Sequence, residues 1–161
     1  MQPRIEKTAG IKLVGMKVTT TLSTQDPASL WKAFKPRCGE IPSRKDGNFY
    51  SVQVYSQAFP NQFTPNTPFD KWAAVAVTDT PDIPEGMSVL EIPDSTFAVF
   101  IHKGPANTFP QTAAKIFGAW LPQSDYQLAD LPHFEVMTPD YAGPMHPDAE
   151  EEVWIPVTPK N

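Results

Sequence analysis

The sequence predicts an α+β fold: a duplicated β-α-β-β motif that forms a curved antiparallel sheet, with two helices and a cleft between the halves. Three observations predict it. Two short helical patterns each carry a Trp and a Phe and end at a proline, LWKAFKP and IFGAWLP. Each is followed by an aromatic-led strand, FYSVQVYS and HFEVMTPD. Each half then closes on a Trp-containing strand, KWAAVAV and EVWIPV. One helix per half against antiparallel strands is an α+β arrangement. The junction of two facing halves is a common place for a ligand.

Each element has its own signal. Ile11 to Leu22 is rich in Val, Thr and Ile and reads as a strand, with Gly15 a candidate bulge. Asp26 can cap a helix, and Pro27 suits its first position. Leu30, Trp31 and Phe34 recur at helical spacing, and Pro36 stops the run. Phe49 to Gln57 alternates like a half-buried strand. Ala58 to Asp70 holds three prolines and reads as a loop, and Lys71 to Thr78 is the next strand. After a turn over Asp79 to Gly86, Met87 to Ile92 and Thr96 to His102 are strands on either side of Pro93-Asp94. Gln111 to Trp120 is the second helix, with Ala114, Ile116, Phe117 and Trp120 on its apolar face and Pro122 at its end. Leu131 to Thr138 and Val153 to Val157 are the last strands. The acidic run Glu150 to Glu152 between them reads as a solvated turn. The whole chain, 1–161, is then one domain, with an internal repeat over about 5–78 and 87–157.

Composition excludes several functions. Thirteen Lys and Arg against eighteen Asp and Glu give a net charge of −5, with no basic cluster. Duplex binding draws most of its affinity from phosphate neutralisation, so direct nucleic-acid binding is not expected. No apolar run approaches the ~20 residues of a spanning helix, and cytoplasmic residence is the default. A single cysteine, Cys38, rules out an internal disulfide and a Cys-rich zinc site. His102, His133 and His146 have no metal-ligand spacing, so no metal and no cofactor is expected. Nineteen prolines, about 12% of the chain against an average near 5%, are scattered and punctuate strands and turns.

Glu135 stands out. It lies mid-strand between Phe134 and Val136, where Glu is disfavoured. In an aromatic cleft its pKa would rise by desolvation, and an organic cation would restore the charged form. Aromatic faces would add about 0.5–2 kcal/mol each by cation–π attraction. On an exposed strand face it would simply sit in water. Two-residue periodicity puts His133, Glu135 and Met137 on one face. On the last strand Trp154 and Pro156 share a face opposite Val153, Ile155 and Val157, which places Trp154 toward the cleft if the aliphatic set is core.

The ordered segments LWKAF, FYSVQVYS, DKWAAVAV, PEGMSVLEIP, FAVFIHKG, WLPQSDY, FEVM and VWIPV resemble the GyrI-like, or AraC-type effector-binding, small-molecule-binding domain, from about Ile5 to Val157. The resemblance implies a pocket at the junction of the halves. It implies that Glu135 lies at the pocket base and meets cationic, lipophilic ligands. It suggests Tyr50, Trp72, Phe100, Trp120 and Trp154 as the aromatic lining. Met137 stands where an aromatic is common, which could broaden the pocket. Ser51 stands at the first-half position matching Glu135, so the acidic centre exists in one half only. Regulators of this family join the domain to a helix-turn-helix module that has no counterpart here, so a stand-alone binder resembling mobile-cassette members is expected. The implied partner is a hydrophobic or cationic small molecule. An exposed edge strand or apolar face could also support a homodimer or a regulatory protein partner.

Other readings stay open. Some members of the superfamily hydrolyse reactive small molecules, with a pocket Glu as base; Glu135 would take that role. Gyrase-inhibitory members act on a protein partner. The SOUL haem-binding proteins share the fold type, but no His placement here favours haem.

Overall fold

In a computed structural model, described over residues 2–56, 59–80 and 82–161, the chain forms one antiparallel sheet flanked by helices. The strands are β1 (Arg4–Thr8), β2 (Ile11–Thr20), β3 (Phe49–Val54), β4 (Phe69–Ala76), β5 (Ser88–Ile92), β6 (Ser95–Lys103), β7 (Tyr126–Leu128), β8 (His133–Met137) and β9 (Glu150–Pro159). Their spatial order is β1-β6-β9-β8-β3-β4-β2-β5, with β7 also paired to β9. The helices are α1 (Pro27–Phe34) and α2 (Phe109–Lys115). The α+β class, the two helices and the curved, unclosed sheet agree with the expectation.

The local signals explain the helix starts. The Asp26 carboxylate accepts from Ser29 N at 3.1 Å and from Ser29 Oγ at 2.6 Å, satisfying donors at the head of α1. Pro36 does not stop the chain's winding; a 3₁₀ segment continues over Lys35–Glu40. Pro122 does not end the second helix either. A π-helical turn (Ile116–Trp120) follows α2, and a last α-helical turn (Leu121–Gln123) has Pro122 near its start, where no backbone N–H is needed. Gly15 is not a bulge, because its register with β4 runs unbroken from Leu13 to Thr20. A Cβ there would collide with the Ala73 carbonyl and with Ala74, so the glycine permits close approach of β2 to β4.

Two short strands, β1 and β7, carry no sequence signal strong enough to be expected. The acidic run Glu150 to Glu152 belongs to β9 and is not a turn, since Glu151 and Glu152 pair with His102 and Ile101 of β6. Gln57 and Ala58, where the expected strand gives way to the expected loop, and Pro81 in the expected turn lie outside the described residues.

Topology explains the curvature. β1 and β2 lie near opposite ends of the strand order yet are joined by two residues, which span at most about 11 Å. β5 and β6 are likewise joined by Pro93 and Asp94 alone. Both links cross the same seam, so the sheet must curl until its ends approach. The inner face then packs on itself without a helix: Leu13, Val52, Trp72, Phe97, Val99, Phe134 and Val136 form one cluster drawn from both halves. The outer face carries two separate clusters. Val14, Leu30, Phe34, Ala73 and Val75 pack under α1, while Ala98, Phe100, Ile116, Val153 and Ile155 pack under α2.

Candidate functional site

Between the two helix-covered clusters, the outer face of the sheet is polar. The central strands β3 and β8 run antiparallel with Ser51 opposite Glu135 and Gln53 opposite His133. Their alternate residues, Val52, Phe134 and Val136, point into the inner core. Among the described residues, the buried polar side chains are Ser51, Gln53, His102, Thr112, His133 and Glu135. The five on strands share this outer face, and Thr112 reaches it from α2 through His102. The Pro105 carbonyl can only accept, so His102 Nε2 donates to it at 3.2 Å. Nδ1 then accepts from the Thr112 hydroxyl at 2.6 Å.

Glu135 is 8% exposed and, among the described residues, has one direct hydrogen bond, from Gln53 Nε2 to Oε1 at 3.2 Å. Burial pushes its pKa up from 4.5 to about 7; the Lys71 ammonium pulls it down, and Glu151 pushes it further up. Glu151, partly buried on β9, is also pushed up to about 7 by burial and pulled down by Lys71. Burial lowers the Lys71 pKa, and the two carboxylates act against that. These three groups therefore feel one another across the floor of the cleft, yet no ion pair within 4 Å joins them among the described residues.

Aromatic rings stand beside this floor. His133 is 5% exposed, and burial drives its pKa down to about 3, so it is neutral at pH 7. Tyr55 and Phe59 meet its ring edge-on at 5.0 and 5.1 Å, and Phe117 of the π-helical turn lies at 6.1 Å. Tyr55 stacks on Phe59 at 4.1 Å and meets Phe63 and Phe69 at 5.2 and 5.4 Å. Burial and the Glu135 charge both raise the Tyr55 pKa, keeping its phenol protonated. A cavity of about 230 Å³ opens here, lined by Tyr55, Phe59, Leu128, Leu131 and His133 among others. A larger hollow of about 580 Å³ lies elsewhere, between the start of the chain and Trp120 and Tyr126. His133, two residues from Glu135 on the same face of β8, lines the smaller cavity, and none of the buried polar residues of the floor lines the larger one, so the smaller cavity is the better candidate.

The residues singled out by sequence fall into three places. Glu135 and Met137 lie on the outer face, at the floor. Tyr50, Trp72 and Trp154 lie on the opposite, inner face with Phe134. Trp154 stacks on Phe134 at 5.3 Å, and Tyr50 lies 5.8 Å from the same ring. The two tryptophans already carry cations from the chain itself, Arg4 over Trp154 and Lys17 over Trp72, both at 5.7 Å. The reason is the period of two: Val153, Ile155 and Val157 are core as expected, but they pack under α2 on the same side as Glu135, which turns Trp154 away. Phe100 and Trp120 meet at 5.2 Å beneath and within the second helix. The aromatic cluster on the Glu135 side gathers around His133 and Tyr55 and consists of Tyr55, Phe59, Phe63, Phe69 and Phe117; of these, Tyr55 feels the Glu135 charge. Most come from the proline-rich segment between β3 and β4, where no periodicity announces a facing direction. Lys71, the first charge of the KWAAVAV strand, was the available signal for a counter-charge.

Among the described residues, no group of three or more His, Cys, Asp or Glu side chains could hold a metal ion. No helix among them is long and apolar enough to cross a membrane.

Comparison with known proteins places this geometry in context. A family model described as the GyrI-like small molecule binding domain matches residues 1–158. The chain is 27% identical over 157 residues to the transcriptional regulator BrlR of Pseudomonas aeruginosa, covering 98% of this chain and 56% of BrlR. It thus spans about half the length of that curated relative. The structure of SAV2435 bound to tetraphenylphosphonium superposes with a TM-score of 0.71 at 18% identity, over 98% of this chain and 94% of SAV2435. The EcmrR C-terminal domain superposes with a TM-score of 0.75 at 15% identity, over 99% of this chain and 98% of that domain. These two structures share the fold.

Proposed function

This chain belongs to the GyrI-like small-molecule binding domain family, and from that premise we propose that it binds lipophilic organic cations over Glu135. The observation that carries the reading is a carboxyl 8% exposed, with a single neutral hydrogen-bond donor among the described residues, on the strand face where Tyr55, Phe59 and Phe117 gather around His133. Burying that group as an unpaired anion is unfavourable. A ligand cation would supply the missing charge, and Tyr55, Phe59 and Phe117 would offer it ring faces and edges. SAV2435, a structural relative, was solved with such a cation bound, which supports the same ligand class here. Binding would need no cofactor. In this reading the domain acts as a binder.

The test is a thermal-shift and calorimetry series with tetraphenylphosphonium on the wild type and Glu135→Gln. A ligand of the native state raises the midpoint of unfolding. The expected result is stabilisation of the wild type and at least tenfold weaker binding by the variant, about 1.4 kcal/mol. Equal affinities would remove Glu135 from the site.

One observation favours a second reading, hydrolysis. A buried carboxyl with a pKa of about 7 suits a general base for water near neutral pH. Turnover of a reactive small molecule by the wild type and its loss in Glu135→Gln would support it. Binding without turnover would leave the binder reading in place.

A further inference from the structure

Among the described residues, the polar floor holds two interacting carboxylates, Glu135 and Glu151, and one ammonium, Lys71. Glu135 and Glu151 project from β8 and β9, and Lys71 from β4, in the row of Gln53 and His133. In the adjacent row Ser51 stands between Glu135 and Ala73, and neither Ser51 nor Ala73 brings a charge to Glu135. Lys71 makes no hydrogen bond or ion pair to a side chain among the described residues; its charge acts on Glu135 and Glu151 together. The other titratable groups facing these three are His102, His133, Tyr55 and Tyr141; Asp130 lines the neighbouring cavity and is not among the charges that shift Glu135 or Glu151. His133 is neutral, and the Tyr55 phenol is protonated. Two more cations, Lys35 and Arg44, lie over the Phe49 ring at 5.1 and 5.2 Å, and neither is among the charges that shift Glu135 or Glu151. With all three groups ionised, the floor therefore carries one excess negative charge.

We propose that Lys71 sets the charge selectivity of the cleft: a tethered ammonium offsets one of the two carboxylates, fitting the site to ligands with a single positive charge and against dications. The inference rests on the cation-binding reading above and deepens it. Its physical basis is that desolvated charges must be balanced one for one. A second ligand charge would meet Lys71 without a free carboxylate to offset it, and a like charge built into a site is a means of rejecting the wrong ligand.

The experiment compares tetraphenylphosphonium, a monocation, with benzyl viologen, an aromatic dication. Affinities are measured by calorimetry at pH 8.5 for the wild type, Lys71→Met and Lys71→Arg, each first shown to be folded by its thermal melt. If Lys71→Met does not fold, Lys71→Gln takes its place. The expected result is a shift of the dication-to-monocation affinity ratio by at least tenfold toward the dication when the charge is removed. Lys71→Arg, which keeps the charge, should hold the wild-type ratio. A ratio within threefold of wild type in a folded uncharged variant overturns the proposal, as does an equal change in Lys71→Arg. Binding of the monocation by the wild type with no change in ratio would sink the role of Lys71 alone. Failure of wild type and variant to bind either cation would sink the cation reading with it.

Discussion

On the inner face of β3 and β8, Val52, Phe134 and Val136 are 0%, 1% and 6% exposed; on the outer face Ser51, Gln53, His133 and Glu135 are 6%, 7%, 5% and 8% exposed. The two faces are about equally dry, and their chemistry is opposite. Degree of burial therefore does not explain why one face is apolar and the other is not. An apolar outer face would have joined the clusters under α1 and α2 into one core. The polar stripe keeps them apart, and it does so with groups that are costly to desolvate. On β3 and β8 the inner face supplies apolar packing, and the outer face supplies the chemistry available for a ligand.

The largest effect that sharpens this contrast is on the inner side. Phe134→Ala removes a ring that packs against Tyr50, Phe97 and Trp154, and should cost about 3–5 kcal/mol in urea unfolding. A loss below about 1 kcal/mol would mean that the inner face is not the main core.

Next comes Glu135→Gln, with the opposite sign. The folded state raises the Glu135 pKa from 4.5 to about 7, so between those values the native chain holds a proton that the unfolded chain has released. Stability from this group is thus greatest at low pH, falls as pH rises from about 4.5 to about 7, and stays low above. Gln removes that loss and should stabilise the protein at pH 8 by on the order of 1–3 kcal/mol. Thermal melts across pH 4–9 check it, and destabilisation at pH 8 would contradict the assignment.

His133→Phe should act only in acid. Native His133 resists protonation until about pH 3, whereas the unfolded residue protonates near 6.5. Stability is therefore lost as pH falls from 6.5 toward 3, and the Phe variant should flatten that limb of the same melts. The smallest expected effect is Arg4→Ala. Its ion pairs to Glu6 and Glu152 are exposed, so the loss should stay below about 1 kcal/mol and shrink further in salt.

Much of the fold was legible because its signals are local. Asp26-Pro27 marks the start of α1, and alternation marks β3 and β8. What escaped depends on contacts distant in sequence. β1 and β7 are placed by partners far away in the chain or by the edge they complete, β1 beside β6 and β7 beside β9. The run Glu150 to Glu152 looks like solvent-facing charge until its pairing with β6 is known. The site was half legible for the same reason. Alternation correctly grouped His133, Glu135 and Met137, but a curled sheet buries both faces, so periodicity could not tell which aromatics share the side of Glu135. Trp72 and Trp154 pack away from it, while Tyr55 and Phe59, from an irregular segment, pack against His133 on its side.

The most direct test of the outer face as a cation site is proton release. Tetraphenylphosphonium should be titrated into the protein at pH 6 in two buffers of different ionisation enthalpy. At that pH Glu135 is mostly protonated, so a cation that takes the proton's place must expel it. The predicted result is binding with release of more than half a proton, abolished in Glu135→Gln. Tight binding with no proton released, unchanged in the variant, would contradict the assignment and move the ligand to another part of the molecule.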